Sequence, residues 1–158
     1  MKREGLENFI NRQVELEEKI VKLVGKVTEN VKNLLVKILL QSIGLDSQKH
    51  ADMLRAILAL LKRETPFISE EERKSVSNQI KEHIELEKKA IETYSEIIEK
   101  TDDKKIKTIL QYIIEDEKRH HEMLLKIDKL IVKPETLKEE DFWDWIWKYS
   151  VSHGSPGG

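Results

Sequence analysis

The chain of 158 residues has no cysteine, and it contains only three prolines and six glycines. The absence of cysteine excludes disulfide bonds, thiolate metal ligands, a cysteine nucleophile and a cysteine-ligated iron centre. No apolar run approaches the roughly 18 residues that a membrane span needs, and the N-terminal residues lack the apolar core of a signal peptide. The sequence therefore predicts a cytoplasmic protein that does not contact a membrane.

Charge of neither sign dominates the sequence. The chain has 28 basic and 30 acidic residues, which give a formal net charge of −2. Domains that bind nucleic acid usually carry a clear excess of basic residues, and binding to anionic lipid usually needs a polybasic segment. We therefore expect no nucleic acid and no membrane among the partners of this protein.

Helix-breaking residues are nearly missing from residues 6–133, where only Gly25, Gly44 and Pro66 occur. Apolar residues recur there at helical spacing, and the alternating pattern of a strand is not found. This periodicity predicts four long helices, at about residues 4–29, 31–63, 70–99 and 103–132. Four helices with short connections are typical of an all-α four-helix bundle, which we place at residues 1–133.

Two parts of the predicted bundle repeat each other at one offset of 70 residues. The segment VELEEK at 14–19 aligns with IELEKK at 84–89. At the same offset, DSQKHADMLRAI at 46–57 aligns with DEKRHHEMLLKI at 116–127. Because both pairs share the offset, the sequence indicates two related helical hairpins.

Helical wheels place acidic side chains and histidines on the apolar faces of the predicted helices. These inward residues are Glu17, Asp46, His50, Glu87, Glu117 and His120. A buried carboxylate costs on the order of several kcal/mol unless it is paired or binds a cation, and no lysine or arginine occupies these inward positions. Carboxylates mixed with imidazoles suit Fe, Mn or Zn, and bridging carboxylates hold two ions about 3.5–4 Å apart. The pattern therefore predicts a metal centre.

This arrangement of residues resembles the ferritin-like di-iron carboxylate proteins, in which a Glu on one helix faces Glu-x-x-His on its neighbour, twice over. The segment EKRH at 117–120 matches that motif as written. Tyr94 follows Glu87 at a spacing that also occurs in ferritins and rubrerythrins. The segments HIELEKKAIETY and EDEKRHHEML resemble the rubrerythrin-related branch most closely, and the resemblance covers about residues 4–132.

Two features depart from the family pattern. Ser47 stands where the family has a second Glu, so that Asp46 is the candidate acidic partner of His50. The family also joins its two hairpins by a crossover of about 35–50 Å, and the linker 63–69 is too short for this at about 3.4 Å per residue. We therefore expect the crossover to occupy residues 63–77 and to contain a short helical piece, with the third helix proper starting near Ser77. The segment SEEE at 69–72 fits a capping box that opens either the third helix or a short helix before it.

The resemblance implies redox chemistry at a di-iron centre, with Mn or Zn as alternative metals. The protein would oxidise Fe(II) with dioxygen or peroxide, or reduce peroxide with electrons from an external donor. Glu87 and Glu117 would bridge or chelate the ions, and His50 and His120 would each bind one of them. Tyr94 would donate a hydrogen bond to a bound ligand or quench radicals.

The remaining inward residues have weaker expected roles. Glu17 would be a terminal ligand, and Asp46 a weak terminal ligand or a hydrogen-bond acceptor for His50. His83 and His121 would lie beside the ligands rather than bind the metal. Other interpretations stay open for several of these residues. Glu17 could be a partly exposed helix residue, and His50 a core histidine beside Asp46. Tyr94 could serve only to pack the core, and His83 and His121 could be structural or solvated.

The C-terminal segment, residues 134–158, is set apart by its aromatic residues. All three tryptophans occur in EEDFWDWIWKYS at 139–150, and Trp and Tyr favour half-buried contacts. We expect this segment to dock on its own bundle or on a neighbouring subunit of a homo-oligomer, a dimer or larger. Because Ser47 breaks the ligand pattern, an alternative function also stays open: a metal-free scaffold or dimerisation module that binds a partner through this segment.

Overall fold

The computed structural model describes residues 3–62 and 69–132 of the chain. These residues form four helices, α1 (Arg3–Asn30), α2 (Leu34–Lys62), α3 (Glu70–Lys100) and α4 (Lys104–Val132). Within these two ranges there is no strand. The all-α class and the four long helices predicted from the periodicity are thereby confirmed. In the part of the chain that is described, no helix has the length and apolar character needed to cross a membrane.

The four helices are paired in sequence order. Helix α1 packs against α2, and α3 packs against α4. The chain accordingly divides into two compact units, Met1–Phe67 and Ile68–Gly158, each with one helical hairpin. This division agrees with the two related hairpins that the 70-residue repeat indicates.

The two hairpins begin their second helices in the same way. The Asn33 carboxamide oxygen accepts hydrogen bonds from the backbone N–H groups two and three residues later, at 3.1 and 3.2 Å. The Asp103 carboxylate does the same at 2.8 and 3.2 Å. These side chains satisfy backbone donors that have no partner within the helix. Because Asn33 and Asp103 are also 70 residues apart, the repeat extends to the turns.

Small residues allow α1 and α2 to approach each other closely. Gly44 on α2 is buried, and a Cβ atom at this position would lie 3.0 Å from Val24 Cγ1 on α1. Ala51, two helical turns further along α2, is fully buried. One turn beyond Ala51 on α2, the Arg55 guanidinium forms an ion pair with Glu18 on α1.

A capping box fixes the start of α3. The Ser69 hydroxyl accepts a hydrogen bond from the Glu72 N–H at 3.2 Å, and the Glu72 carboxylate accepts one from the Ser69 N–H at 2.7 Å. Hydrogen bonding with Ser69 lowers the pKa of Glu72, and the Ser69 backbone has a larger effect than the Ser69 side chain. The helix then runs without interruption from Glu70 to Lys100. The predicted start of the third helix near Ser77 is therefore wrong, because the capping box already stabilises the helix from Glu70 onwards. The helical residues expected before Ser77 are continuous with α3.

Candidate metal centre

Three ligand-type side chains converge within the α3–α4 hairpin. Glu87 from α3 and Glu117 and His120 from α4 each offer one ligand atom, and these atoms all lie within 4.8 Å of one another. His120 Nδ1 lies 3.8 Å from Glu117 Oε2 and 3.9 Å from Glu87 Oε1. Glu117 and His120 share one face of α4 because they are three residues apart, and Glu87 extends towards them from the neighbouring helix.

Glu87 is the buried member of this cluster, with 6% of its surface exposed. Its Oε2 atom is buried and has no hydrogen-bond partner among the described residues. Burial raises the pKa of Glu87, and the Glu117 carboxylate raises it further, whereas His120 and His83 lower it. A buried carboxylate oxygen without a partner is unfavourable, and a bound cation would remove that penalty.

The donors of the cluster fit a divalent metal ion. Two carboxylates and one imidazole provide the mixture of oxygen and nitrogen ligands that suits Fe, Mn or Zn. The two carboxylates also supply the two negative charges that balance a divalent cation. Glu117 and His120 have side chains that are 25% and 50% exposed, so an ion can reach the buried Glu87 from solvent. The residues that are present therefore fit the metal expected from the sequence.

His83 lies beside the cluster without being part of it. Its Nε2 atom is 3.0 Å from Glu87 Oε1, and its side chain is 57% exposed. The four-residue spacing between His83 and Glu87 places them on one face of α3. This spacing is the feature of the sequence that predicts His83 beside the ligands. On α4, the Nδ1 atom of His121 is buried and forms no hydrogen bond with any described residue.

The first hairpin brings together fewer ligand-type groups at the equivalent positions. His50 Nδ1 lies 3.5 Å from Glu17 Oε1, so the structure places these two predicted ligands side by side. Ser47, the equivalent of Glu117 in the repeat, is buried at 5% exposure. Asp46 has a side chain that is 56% exposed, and its Oδ1 atom accepts a hydrogen bond from Lys49 Nζ at 2.6 Å. An ion at Asp46 would have to compete with this lysine.

Tyr94 is the remaining predicted site residue. It is half-buried on α3, two helical turns after Glu87. Two turns correspond to about 10 Å along a helix. The proposed role of Tyr94 towards a bound ligand stays a prediction.

The α3–α4 hairpin, with Glu87 on one helix and Glu117-x-x-His120 on the next, has the ligand pattern of the class of ferritin-like carboxylate proteins. The sequence profile of the rubrerythrin family matches residues 26–128, which is more than half of the chain. The protein therefore belongs to the rubrerythrin family. The matched range includes His50, Glu87, Glu117 and His120 but starts after Glu17. No curated protein and no solved structure gives a match to this chain.

Proposed function

We propose that this protein is a ferritin-like metalloprotein that uses bound iron for redox chemistry with Fe(II), dioxygen or peroxide. The observation that carries this proposal is the buried Glu87 carboxylate, which forms a cluster with Glu117 and His120 and has an oxygen without a described partner. Membership in the rubrerythrin family supports iron as the metal, and Mn or Zn would fit the same donors.

The residues of the chain would have distinct roles towards the metal. Glu87 and Glu117 would hold the ion through their carboxylates, and His120 would bind it as a neutral imidazole. His83, in contact with Glu87, would orient that carboxylate. Bound iron would supply the electron transfer that the proposed redox chemistry requires.

On the first hairpin, the proposed ligands are Glu17 and His50, with Asp46 as a weaker one. Tyr94 would donate a hydrogen bond or an electron near the metal. Since the chain has no cysteine, it cannot hold a cysteine-ligated iron centre of its own. A reductase activity would therefore need an external electron donor.

Metal analysis of the purified protein is the first test. We expect protein prepared without chelators, or loaded anaerobically with Fe(II), to contain about one to two ions of Fe, Mn or Zn per chain. Glu117→Ala is expected to lose most of the metal, because it removes an anionic ligand. Glu115→Ala is the matched control, since Glu115 lies on the same helix but is exposed.

A second candidate function is the metal-free scaffold. It is favoured by Ser47, which replaces an acidic ligand, and by the Lys49 ammonium bound to Asp46. Wild-type protein that stays free of metal after anaerobic loading with Fe(II) would support the scaffold and contradict the metalloprotein. If metal binds, the rate of Fe(II) oxidation by peroxide, followed by absorbance, tests the redox activity, and Glu117→Ala is expected to slow it strongly.

A further inference from the structure

We infer that the two hairpins bind metal unequally: the α3–α4 hairpin is a self-contained, high-affinity site for one divalent ion, and the α1–α2 hairpin has no site of comparable affinity. This inference rests on the proposed function, because it requires that the Glu87 cluster binds metal. The repeat of the two hairpins would by itself suggest that each binds one ion with equal affinity.

The α3–α4 hairpin needs no residue from the rest of the chain to gather its ligands. Glu87, Glu117 and His120 already have their ligand atoms within 4.8 Å of one another. Only 6% of the Glu87 surface is exposed, and its Oε2 atom lacks a hydrogen-bond partner among the residues described. A cation interacts strongly with the buried Glu87 carboxylate, because little water screens that group.

The repeat shows what the α1–α2 hairpin lacks. At the offset of 70 residues, Glu17 corresponds to Glu87, His50 to His120, and Ser47 to Glu117. The exchange of Glu for Ser removes one negative charge and one carboxylate that can chelate. The buried Ser47 side chain is also too short to replace these ligand atoms from the same backbone position.

The acid next to Ser47 does not compensate for this loss. Asp46 Oδ1 is 2.6 Å from Lys49 Nζ, one helical turn later on α2. The positive charge of Lys49 disfavours a metal ion at the same carboxylate. The hairpin is thus left with one carboxylate and one imidazole, Glu17 and His50, at 3.5 Å from each other. Two ligands with a single negative charge bind a divalent ion more weakly than three ligands with two.

Titration of the full-length protein with Zn²⁺ and Co²⁺ tests the inference by calorimetry and by visible absorption. Metal-free wild type is expected to bind one ion tightly per chain, with any second ion weaker by at least roughly tenfold. Positions 47 and 117 are equivalent in the repeat and give a matched pair of variants. Glu117→Ala is expected to abolish the tight ion, and Ser47→Ala is expected to leave it unchanged.

A gain of binding gives the complementary test. Ser47→Glu is expected to raise the number of tightly bound ions from one to two per chain, because it restores the missing ligand. Because Ser47 is buried, a Glu at this position can also destabilise the fold, so imidazole ¹⁵N NMR of the wild type provides a second measurement. With one equivalent of Zn²⁺, we expect the resonances of His120 to shift and those of His50 to stay in place.

The possible outcomes separate the two proposals. Two ions of equal affinity in the wild type, or equal shifts of His50 and His120 at one equivalent of Zn²⁺, would overturn the unequal binding and leave the metalloprotein standing. Loss of the tight ion in Ser47→Ala would also overturn it. Failure of the wild type to bind any ion would overturn the proposed function, and the inference with it.

Discussion

The Glu87 carboxylate shows how a single residue links stability to metal binding. Its pKa is raised chiefly by burial, so the charged carboxylate is less favourable in the folded protein without metal than in the unfolded chain. At pH 7 the charged form therefore destabilises the fold. We expect Glu87→Gln to raise the free energy of unfolding of the metal-free protein by about 1 kcal/mol at this pH. Urea unfolding in the presence of a chelator measures this change.

The pH dependence of this effect follows from the direction of the pKa shift. Because Glu87 binds its proton more tightly in the folded state, the wild type loses stability as pH rises from the unfolded-state pKa, about 4.3, through the higher folded-state pKa. The advantage of Glu87→Gln is therefore expected at pH 7 and should vanish below about pH 4. Glu85→Gln, at an exposed position of α3, is the control. Equal stability of the two variants at pH 7 would contradict this account.

Single residues also show how far the site was predictable from the sequence. Glu87, Glu117 and His120 were identified because helical periodicity decides which face a side chain lies on, and the structure gathers their ligand atoms. The surroundings of Asp46 were not identified. Its pairing with Lys49 depends on the direction in which two exposed side chains extend from one face of α2, and a helical wheel contains no information on this.

At the scale of helices, two glycines in the first hairpin differ in their surroundings. A Cβ atom at Gly25 would meet nothing within 4 Å, so Gly25→Ala is expected to stabilise the protein by about 0.5–1 kcal/mol through helix propensity. A Cβ at Gly44 would lie 3.0 Å from Val24 Cγ1, and a valine side chain in a helix has little rotational freedom. Gly44→Ala should therefore gain less stability than Gly25→Ala, or lose some.

Chemical unfolding of the two alanine variants measures this difference in free energy. The double variant Val24→Ala with Gly44→Ala should show a favourable coupling, because the smaller side chain removes the close contact. An equal gain from both glycine substitutions would mean that α1 and α2 do not require a small residue at Gly44.

The helices themselves were largely predictable, because their signals are local. Periodicity predicted all four helices, with ends within about three residues of those in the structure. The capping box at Ser69 was also visible in the sequence. The start of α3 was misplaced to Ser77 because the crossover expected of the family was given more weight than this cap. The structure has the helix from Glu70 onwards, so the hydrogen bonds of the cap decide where it starts.

For the whole molecule, the repeat and the family match give the class of protein, whereas the sequence leaves the metal, the reactant and the electron donor as proposals. The same donors accept Fe, Mn or Zn, and all three ions are compatible with two carboxylates and one imidazole. Selection among them depends on coordination number and metal supply, which residue types do not encode. The domain division at residue 133 and the role of the following segment lie outside the described residues and stay predictions.

The aromatic C-terminal segment provides the last prediction at this scale. Three tryptophans lie within EEDFWDWIWKYS at 139–150, and each can bury roughly 150–250 Å² in a contact. If this segment docks between subunits, removal of residues 136–158 is expected to lower the number of subunits per particle, obtained as the molar mass from size-exclusion chromatography with light scattering divided by the mass of one chain. A full-length variant with Trp143, Trp145 and Trp147 changed to Ser should show the same decrease, because the contact depends on the rings rather than on chain length. Far-UV circular dichroism controls for loss of the helices, and an unchanged number of subunits in both proteins would exclude docking between subunits.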